Sequence, residues 1–313
     1  MSSKGRTSAE YSWCFARASV RLKGRQSSWR VMSMQIGEYE VVTLETGRFA
    51  LDGGAMFGVV PKIIWEKKHP ADEKNRIEMA MRVVLLRSQE QVILIDTGIG
   101  DKLSAKQRQI YGVNLEHSHL LNSLAQVGLQ PEDISDVILT HLHFDHAGGA
   151  TRIEDGNLKP AFPKAKYWVQ RENWEWALQP SEKDRASYLQ ENFVPLQAAG
   201  QLHFLEGAGD IFPGVRARLS QGHTTGQQLI EIYAENQFAI YGADIIPMAA
   251  HIAIPYVMGY DLRPLVTIEE KKQILEDVLA QNGILIFEHD PEMKACRLRR
   301  GEKSIEAAEA VEI

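Results

Sequence analysis

The sequence predicts a layered α/β body, and three observations carry that expectation. Several strand-like segments are continuous apolar runs, as expected where a sheet is covered by helices on one face and by a second sheet on the other. These runs come in groups, with amphipathic helical stretches between them. The residues with the most obvious chemistry fall on the loops that follow the runs, where a rigid scaffold places functional groups. At 313 residues, 44% hydrophobic and 24% charged, the chain has ordinary globular composition and is long enough for one such body.

Taken in chain order, "YEVVTLETGRFAL" (39–51) is rich in β-branched residues and reads as a strand, ended by the turn signal Asp52-Gly53-Gly54. "MAMRVVLLRS" and "QVILIDTG" are two further strands about a polar Ser88-Gln89-Glu90 turn. "HLLNSLAQVGL" puts Leu120, Leu121, Leu124 and Val127 at helical spacing before Gly128. "DVILT", "KYWVQ", "FAIYGAD" and "ILIFEHD" read as strands. "ENWEWALQPSEKDRASYLQENF" (172–193) reads as a partly exposed helix. "TIEEKKQILEDVLAQNG" is a helix with a Thr267/Glu270 capping box, an Ile274/Leu275/Val278 stripe and a Gly283 stop. The polar, acidic "KSIEAAEAVEI" is expected to be a fraying tail.

Charge and cysteine content exclude several classes. Residues 1–31 carry seven Lys/Arg and one acid, which leaves about −12 for the rest of a chain whose net charge is −6. An acidic body repels phosphate backbones, so no nucleic-acid partner is expected. Residues 1–33 read as a basic extension outside the fold, with a transit peptide or a start upstream of the true one as alternatives, and 34–313 as one domain. Cys14 and Cys296 are far apart and form no CxxC pair, which suggests neither a disulfide framework nor a thiolate metal cage and fits a cytoplasmic location. No stretch approaches the roughly 18 apolar residues of a membrane span.

"LTHLHFDHAGG" (139–149) directly follows a strand and holds His141, His143, Asp145 and His146. Nitrogen and oxygen donors of these types are the usual ligands of Zn²⁺. In an extended segment His141 and His143 share a face and can meet at one ion. Asp145 and His146 follow where the chain turns and can address a second. Ala147-Gly148-Gly149 leave room for the turn. One loop cannot complete two sites, and three further donors end apolar runs or sit among glycines: His223 in "SQGHTTG", Asp244 in "YGADII" and His289 in "IFEHD". Each alone could equally be a hydrogen-bonded structural residue.

Together "HLHFDH", "GHTTG", "GAD" and "EHD" resemble the metal-binding signature of the metallo-β-lactamase superfamily. With "LDGGAMFGVVPK", "LIDTGIG" and "ADIIP" they look like its quorum-quenching N-acyl homoserine lactonases. The resemblance implies an αβ/βα sandwich of two mixed β-sheets flanked by helices. It implies one ion on His141, His143 and His223, a second on Asp145, His146 and His289, and Asp244 bridging both. The ions would be zinc, with Mn, Fe or Co also compatible. A shared hydroxide would attack the lactone carbonyl, and Asp145 or Asp244 would relay the proton. Asp96 would orient a ligating histidine from behind. Met56 and Phe57 would help line an apolar substrate channel, or else pack in the core. Some relatives carry a tyrosine three positions after the bridging aspartate; here that position is Pro247, and His251 is a candidate substitute in the pocket, or a structural histidine. The expected partner is a small lactone or ester, handled by a monomer or homodimer. Organophosphate hydrolysis, a glyoxalase II-like thioesterase and a non-catalytic metal scaffold are the alternatives.

Overall fold

The computed structural model describes residues 32–114 and 119–313. In chain order the strands are β1 (Met34–Ile36), β2 (Tyr39–Asp52), β3 (Arg76–Arg87), β4 (Val92–Ile95), β5 (Asp136–Ile138), β6 (Thr151–Glu154), β7 (Asn157–Pro160), β8 (Lys166–Gln170) and β9 (Leu202–Leu205). They continue with β10 (Gly209–Phe212), β11 (Val215–Ser220), β12 (Gln227–Ala234), β13 (Gln237–Tyr241), β14 (Ile284–Ile286), β15 (Ala295–Arg300) and β16 (Ile305–Val311). One sheet runs β1-β2-β3-β4-β5-β8-β9 and the other β10-β11-β12-β13-β14-β15-β16, while β6 and β7 form a separate hairpin. Both sheets are mixed. The first is antiparallel through β4 and parallel from there to β9. The second is antiparallel except where the helix Pro264–Ala280 crosses between the parallel β13 and β14. The result is the αβ/βα sandwich expected.

The apolar runs have two destinations, and the period-two geometry of a strand separates them. Val84 and Leu86 of β3, with Ile93 and Ile95 of β4, face the second sheet and pack with Ile230, Ile232, Ile240 and Leu285. Val83 and Leu85, with Leu94, Val137 and Val169, point the other way, beneath Leu120, Leu124, Trp174 and Phe193. A strand with both faces covered has no reason to alternate in polarity.

Three features differ from the sequence reading. The helix expected over 172–193 ends early: the α-helix is Arg171–Leu178, followed by short 3₁₀ turns at Arg185–Ser187 and Gln190–Asn192. Pro180 cannot continue it, and Asp184 closes the turn by accepting from Trp176 Nε1 (2.7 Å) and Ser181 Oγ (2.7 Å). The long helix begins at Pro264, with proline in its first turn and Arg263 as N-cap. Thr267 is therefore buried inside the helix, and Glu270 is used elsewhere, so there is no capping box. The C-terminal segment is an edge strand, β16, paired antiparallel with β15; Ile313 is fully buried and its carbonyl accepts from Thr43 Oγ1. The basic segment 1–33 lies, apart from its last two residues, outside the described residues. No helix among the described residues is long and apolar enough to cross a membrane.

Candidate metal centre

Loops at one edge of the sandwich converge. They leave the C-terminal ends of β5, β11, β13 and β14, where α/β sheets commonly bind ligands. The loop after β5 delivers His141, His143, Asp145 and His146, the last two on the short helix Phe144–Ala147. The turn after β11 delivers His223, the 3₁₀ turn after β13 delivers Asp244, and the segment after β14 delivers Glu288 and His289. The first loop can turn because Gly148 has no side chain: a Cβ there would lie 2.1 Å from the Ile99 carbonyl oxygen. Lys102 Nζ donates to the carbonyls of Gly148 and Thr151 and fixes the loop's far end.

The structure brings all seven predicted donors together, all of them buried. His141 Nε2 lies 3.0 Å and His223 Nε2 3.1 Å from His143 Nδ1. Asp244 Oδ2 is 3.1 Å from His223 Nε2 and 3.9 Å from His141 Nε2. Four ligands on one tetrahedral ion, each about 2.0–2.1 Å from it, sit roughly 3.3–3.4 Å apart. The observed spacings bracket that figure. The other oxygen of Asp244, Oδ1, is 3.4 Å from His146 Nε2 and 3.2 Å from His289 Nε2. Asp145 Oδ2 is 3.8 Å and 3.6 Å from the same two nitrogens. Asp244 thus turns one oxygen to each cluster.

His146, Asp244, Glu288 and His289 also group by distance, within 4.8 Å of one another. Glu288, however, approaches His146 at Nδ1 (3.0 Å), on the opposite side of the ring from Asp244 and His289. An imidazole that gives Nε2 to an ion leaves Nδ1 for an orienting partner. Glu288 therefore belongs with Asp96, which is 3.1 Å from the same Nδ1, and Asp145 completes the Nε2 side. Asp96 sits where the structure-orienting role would put it. Its left-handed backbone (φ 59°) aims both oxygens at Thr140, one accepting from N and the other from Oγ1, each at 2.7 Å.

Orienting bonds fix which nitrogen faces inward. His223 Nδ1–H donates to Asp261 Oδ1 (2.9 Å), and His289 Nδ1–H donates to the Ala80 carbonyl (2.9 Å). The inward atoms are left without partners: His146 Nε2, His289 Nε2 and Asp244 Oδ1 are buried and make no hydrogen bond. Orphaned buried acceptors of this kind are costly unless a further group satisfies them. Burial opposes a proton on His146 and His289, but Glu288 and Asp244 outweigh it and raise both imidazoles, His289 to about 9; a divalent cation supplies the same positive charge between the three atoms and fits that need. Burial, and then the neighbouring imidazoles, hold His141 and His143 well below the usual histidine pKa, in the neutral form that coordinates metal. Burial opposes charge on Asp244 as well, but His146, His223 and His289 outweigh it and keep the carboxyl ionised.

Over the cluster lies a cavity of about 220 Å³ whose wall includes Leu51, Met56, Met79, Phe144 and Met258, with His143, Asp145, His223, Asp244 and His289 at one end. Met56 is one of its lining residues. Phe57 is not: its ring is fully buried, stacked between Trp65 (5.2 Å) and His251 (5.4 Å). His251 does not reach the cavity either. Its Nε2–H donates to the Met56 carbonyl (2.9 Å), so it supports the cavity wall from beneath, and burial pushes its pKa down to about 3. Pro247 contributes a carbonyl that accepts from His289 N (2.9 Å).

Three contributors were missed in the sequence. Asp261 and Glu270 act across long chain separations; Glu270 accepts from Ser220 Oγ (2.8 Å), Gln221 N (2.7 Å) and Gly222 N (3.1 Å) and so shapes the His223 turn. Neither gives a local signal. Glu288 does give one: a carboxylate ending the apolar run "ILIF" must find a buried partner.

Residues 82–283 match the family model described as the metallo-beta-lactamase superfamily. The N-acyl homoserine lactonase AiiA of Bacillus thuringiensis subsp. kurstaki is 29% identical over 229 residues, which is 68% of this chain and 83% of that protein. The crystal structure of a probable metal-dependent hydrolase from Staphylococcus aureus superposes with a TM-score of 0.81 at 33% identity, over 90% of this chain and 99% of the other. AidC, described as a dizinc quorum-quenching lactonase in complex with a product, superposes with a TM-score of 0.73 at 20% identity, over 90% of this chain and 97% of its own, a likeness of fold alone. With the family model covering well over half of the chain, this protein belongs to the metallo-beta-lactamase superfamily.

Proposed function

We propose that the protein is a dinuclear metal-dependent lactonase that opens N-acyl homoserine lactones, a cytoplasmic quorum-quenching hydrolase working as a monomer or homodimer. The observation that carries this reading is the pairing of the convergent His/Asp cluster with an apolar cavity that offers no free cation. Among the described residues Lys183 is the one Lys or Arg on the cavity wall, and its Nζ is committed to the carbonyls of Gly259 (2.9 Å), Tyr260 (2.9 Å) and Asp261 (3.0 Å). A neutral acyl substrate suits such a wall, whereas an anionic thioester of the glyoxalase kind would find no counter-charge.

His141, His143 and His223 would hold one ion and Asp145, His146 and His289 the other, with Asp244 shared. Zinc suits this nitrogen-rich donor set, and Mn, Fe or Co are compatible. When bound, such a pair supplies a Lewis acid for the carbonyl oxygen and a water of near-neutral pKa. Asp145, on the cavity wall beside the cluster, would relay the proton given up by the attacking water to the leaving alkoxide, which becomes the alcohol as the ring opens. The apolar wall excludes bulk water and holds the acyl chain.

A neutral phosphotriester would meet the same surface, and that second reading rests on the same absence of a free cation. Acid release from N-acyl homoserine lactones, compared with phosphotriester and thioester turnover by one metal-loaded preparation, decides between them. A kcat/KM above roughly 10⁴ M⁻¹s⁻¹ for the lactones, with the others far lower, is the expected result. Preferred turnover of either other class rejects the lactone assignment.

A further inference from the structure

Tyr111 and Tyr260 both line the cavity that holds Asp145, His143, His223, Asp244 and His289. Among the described residues, neither phenol hydroxyl has a hydrogen-bond partner. Three other polar groups on or near the same wall are committed, and the Ser187 hydroxyl, also on the wall, is the rival donor. Tyr188 shares a 2.6 Å hydrogen bond with Thr224 Oγ1 and packs its ring on His143 at 4.6 Å. Lys183 is spent on three carbonyls, and Asp184 accepts from Trp176 and Ser181. A half-buried phenol ordinarily finds an acceptor, so two left open in one cavity imply that the acceptor arrives with the ligand.

Both rings are held in place. Tyr111 stacks on Phe144, centroids 4.6 Å apart and planes 24° apart, and Phe144 lies between His143 and Asp145 in the chain. Tyr260 packs against the cluster of Met56, Phe144 and Met258 and sits on a backbone secured by Lys183, by Gly259 N donating to the Ala55 carbonyl (2.7 Å), and by the bond that Asp261 accepts from His223. A donor fixed before the substrate arrives needs no reorganisation as charge develops on the oxygen it serves. Burial raises the pKa of both phenols, so both keep their protons at neutral pH.

We propose that Tyr111 and Tyr260 are the substrate-recognising donors of this site, hydrogen-bonding the carbonyl oxygens of a neutral acyl substrate. This deepens the hydrolase reading above and rests on it. Such oxygens are acceptors only, which matches two donors and the absence of a free cation. A ligand lacking them would leave both phenols unpaired, the circumstance in which a polar site rejects an analogue most strongly.

The test is the double variant Tyr111→Phe/Tyr260→Phe in the full-length, zinc-loaded protein. The substitutions keep both rings, and the lost hydroxyls bond to nothing in the protein, so zinc content and melting temperature should stay at wild-type values. Lactone kcat/KM is expected to fall about tenfold or more, since loss of one well-placed donor costs about 10²–10³ where it acts fully in the transition state. Affinity for hexanamide, a neutral acyl probe, measured by calorimetry on the same preparations, is expected to fall as well. Wild-type kcat/KM in the double variant, or a loss that Ser187→Ala reproduces and the double variant does not, overturns the proposal. If the wild type opens no lactone, the lactonase reading fails, and the hexanamide comparison still decides the phenols: equal affinity in wild type and double variant overturns their role.

Discussion

Replacing Asp261 with alanine should weaken one metal site and spare the other. Asp261 touches the cluster through His223 alone, accepting the Nδ1–H at 2.9 Å while Nε2 faces His143 and Asp244. Both partners are buried, with Asp261 4% and His223 2% exposed. A hydrogen bond to a charged group contributes about 1.5–3 kcal/mol, and losing such a partner behind a ligating imidazole typically costs 10–100-fold in metal affinity. The backbone there does not depend on the carboxylate: Leu262 N donates to the His223 carbonyl (3.0 Å) and Arg263 N to that of Gly222 (2.9 Å). The turn should therefore keep its shape while the ring loses its orientation and its basicity. Zinc titration against a chromophoric chelator should show one equivalent at wild-type affinity and one weaker by about 10–100-fold, with Asp261→Asn intermediate because the amide oxygen can still accept. Two equivalents at wild-type affinity would refute the orienting role. Loss of both together would refute the separation into two sites.

Further outcomes follow from the same geometry. Asp244→Ala should remove both metal equivalents and all hydrolysis, because Asp244 faces both clusters, and His143→Ala should abolish turnover with loss of the first; near wild-type rates in either variant contradict the ligand assignment. Gly148→Ala should lower stability by at least the ~1–3 kcal/mol of an overpacked site, since its Cβ would meet the Ile99 carbonyl oxygen at 2.1 Å and the carbonyl carbon at 2.4 Å; an unchanged denaturation midpoint would contradict the close approach. His251, held near pKa 3 by burial, must stay neutral in the fold while the unfolded chain protonates it near 6.5. The unfolded state then binds more protons between those values, so stability falls with acidity there by up to about 1.4 kcal/mol per pH unit. His251→Gln should flatten that slope between pH 6.5 and 3, and identical slopes would show that His251 is not buried neutral.

The half of the centre encoded within six consecutive positions was readable because strand and turn geometry bring near neighbours together without help from the rest of the fold. Asp244 and His289 were readable as polar residues ending apolar runs, and His223 as a histidine set among glycines. Asp261 was not, because it lies 38 positions from His223 in the chain, and the pairing depends on how β12, β13 and the loop after them lead back to the turn that follows β11. Proximity in the chain also misled. Phe57 adjoins Met56, yet on the short helix Gly53–Phe57 the two side chains part, Met56 to the cavity and Phe57 to the core. His251 lies close to Asp244 in sequence, but the 3₁₀ turn Ala249–Ile252 carries it beneath the wall. The C-terminal strand was obscured by its polarity: an edge strand with one exposed face needs few apolar residues, and β16 makes its contribution through backbone pairing and the anchored Ile313.

The most direct test of the dinuclear hydrolytic centre is the rate of N-acyl homoserine lactone opening by chelator-stripped protein as zinc is added back, followed as acid release with bound metal measured in parallel. Activity should be absent without metal and reach its plateau at two equivalents per chain, the number of clusters that share Asp244. Protein that holds two equivalents and opens no lactone would retain the metal sites and contradict the lactonase reading. Turnover undiminished in the stripped protein would contradict the metal centre itself.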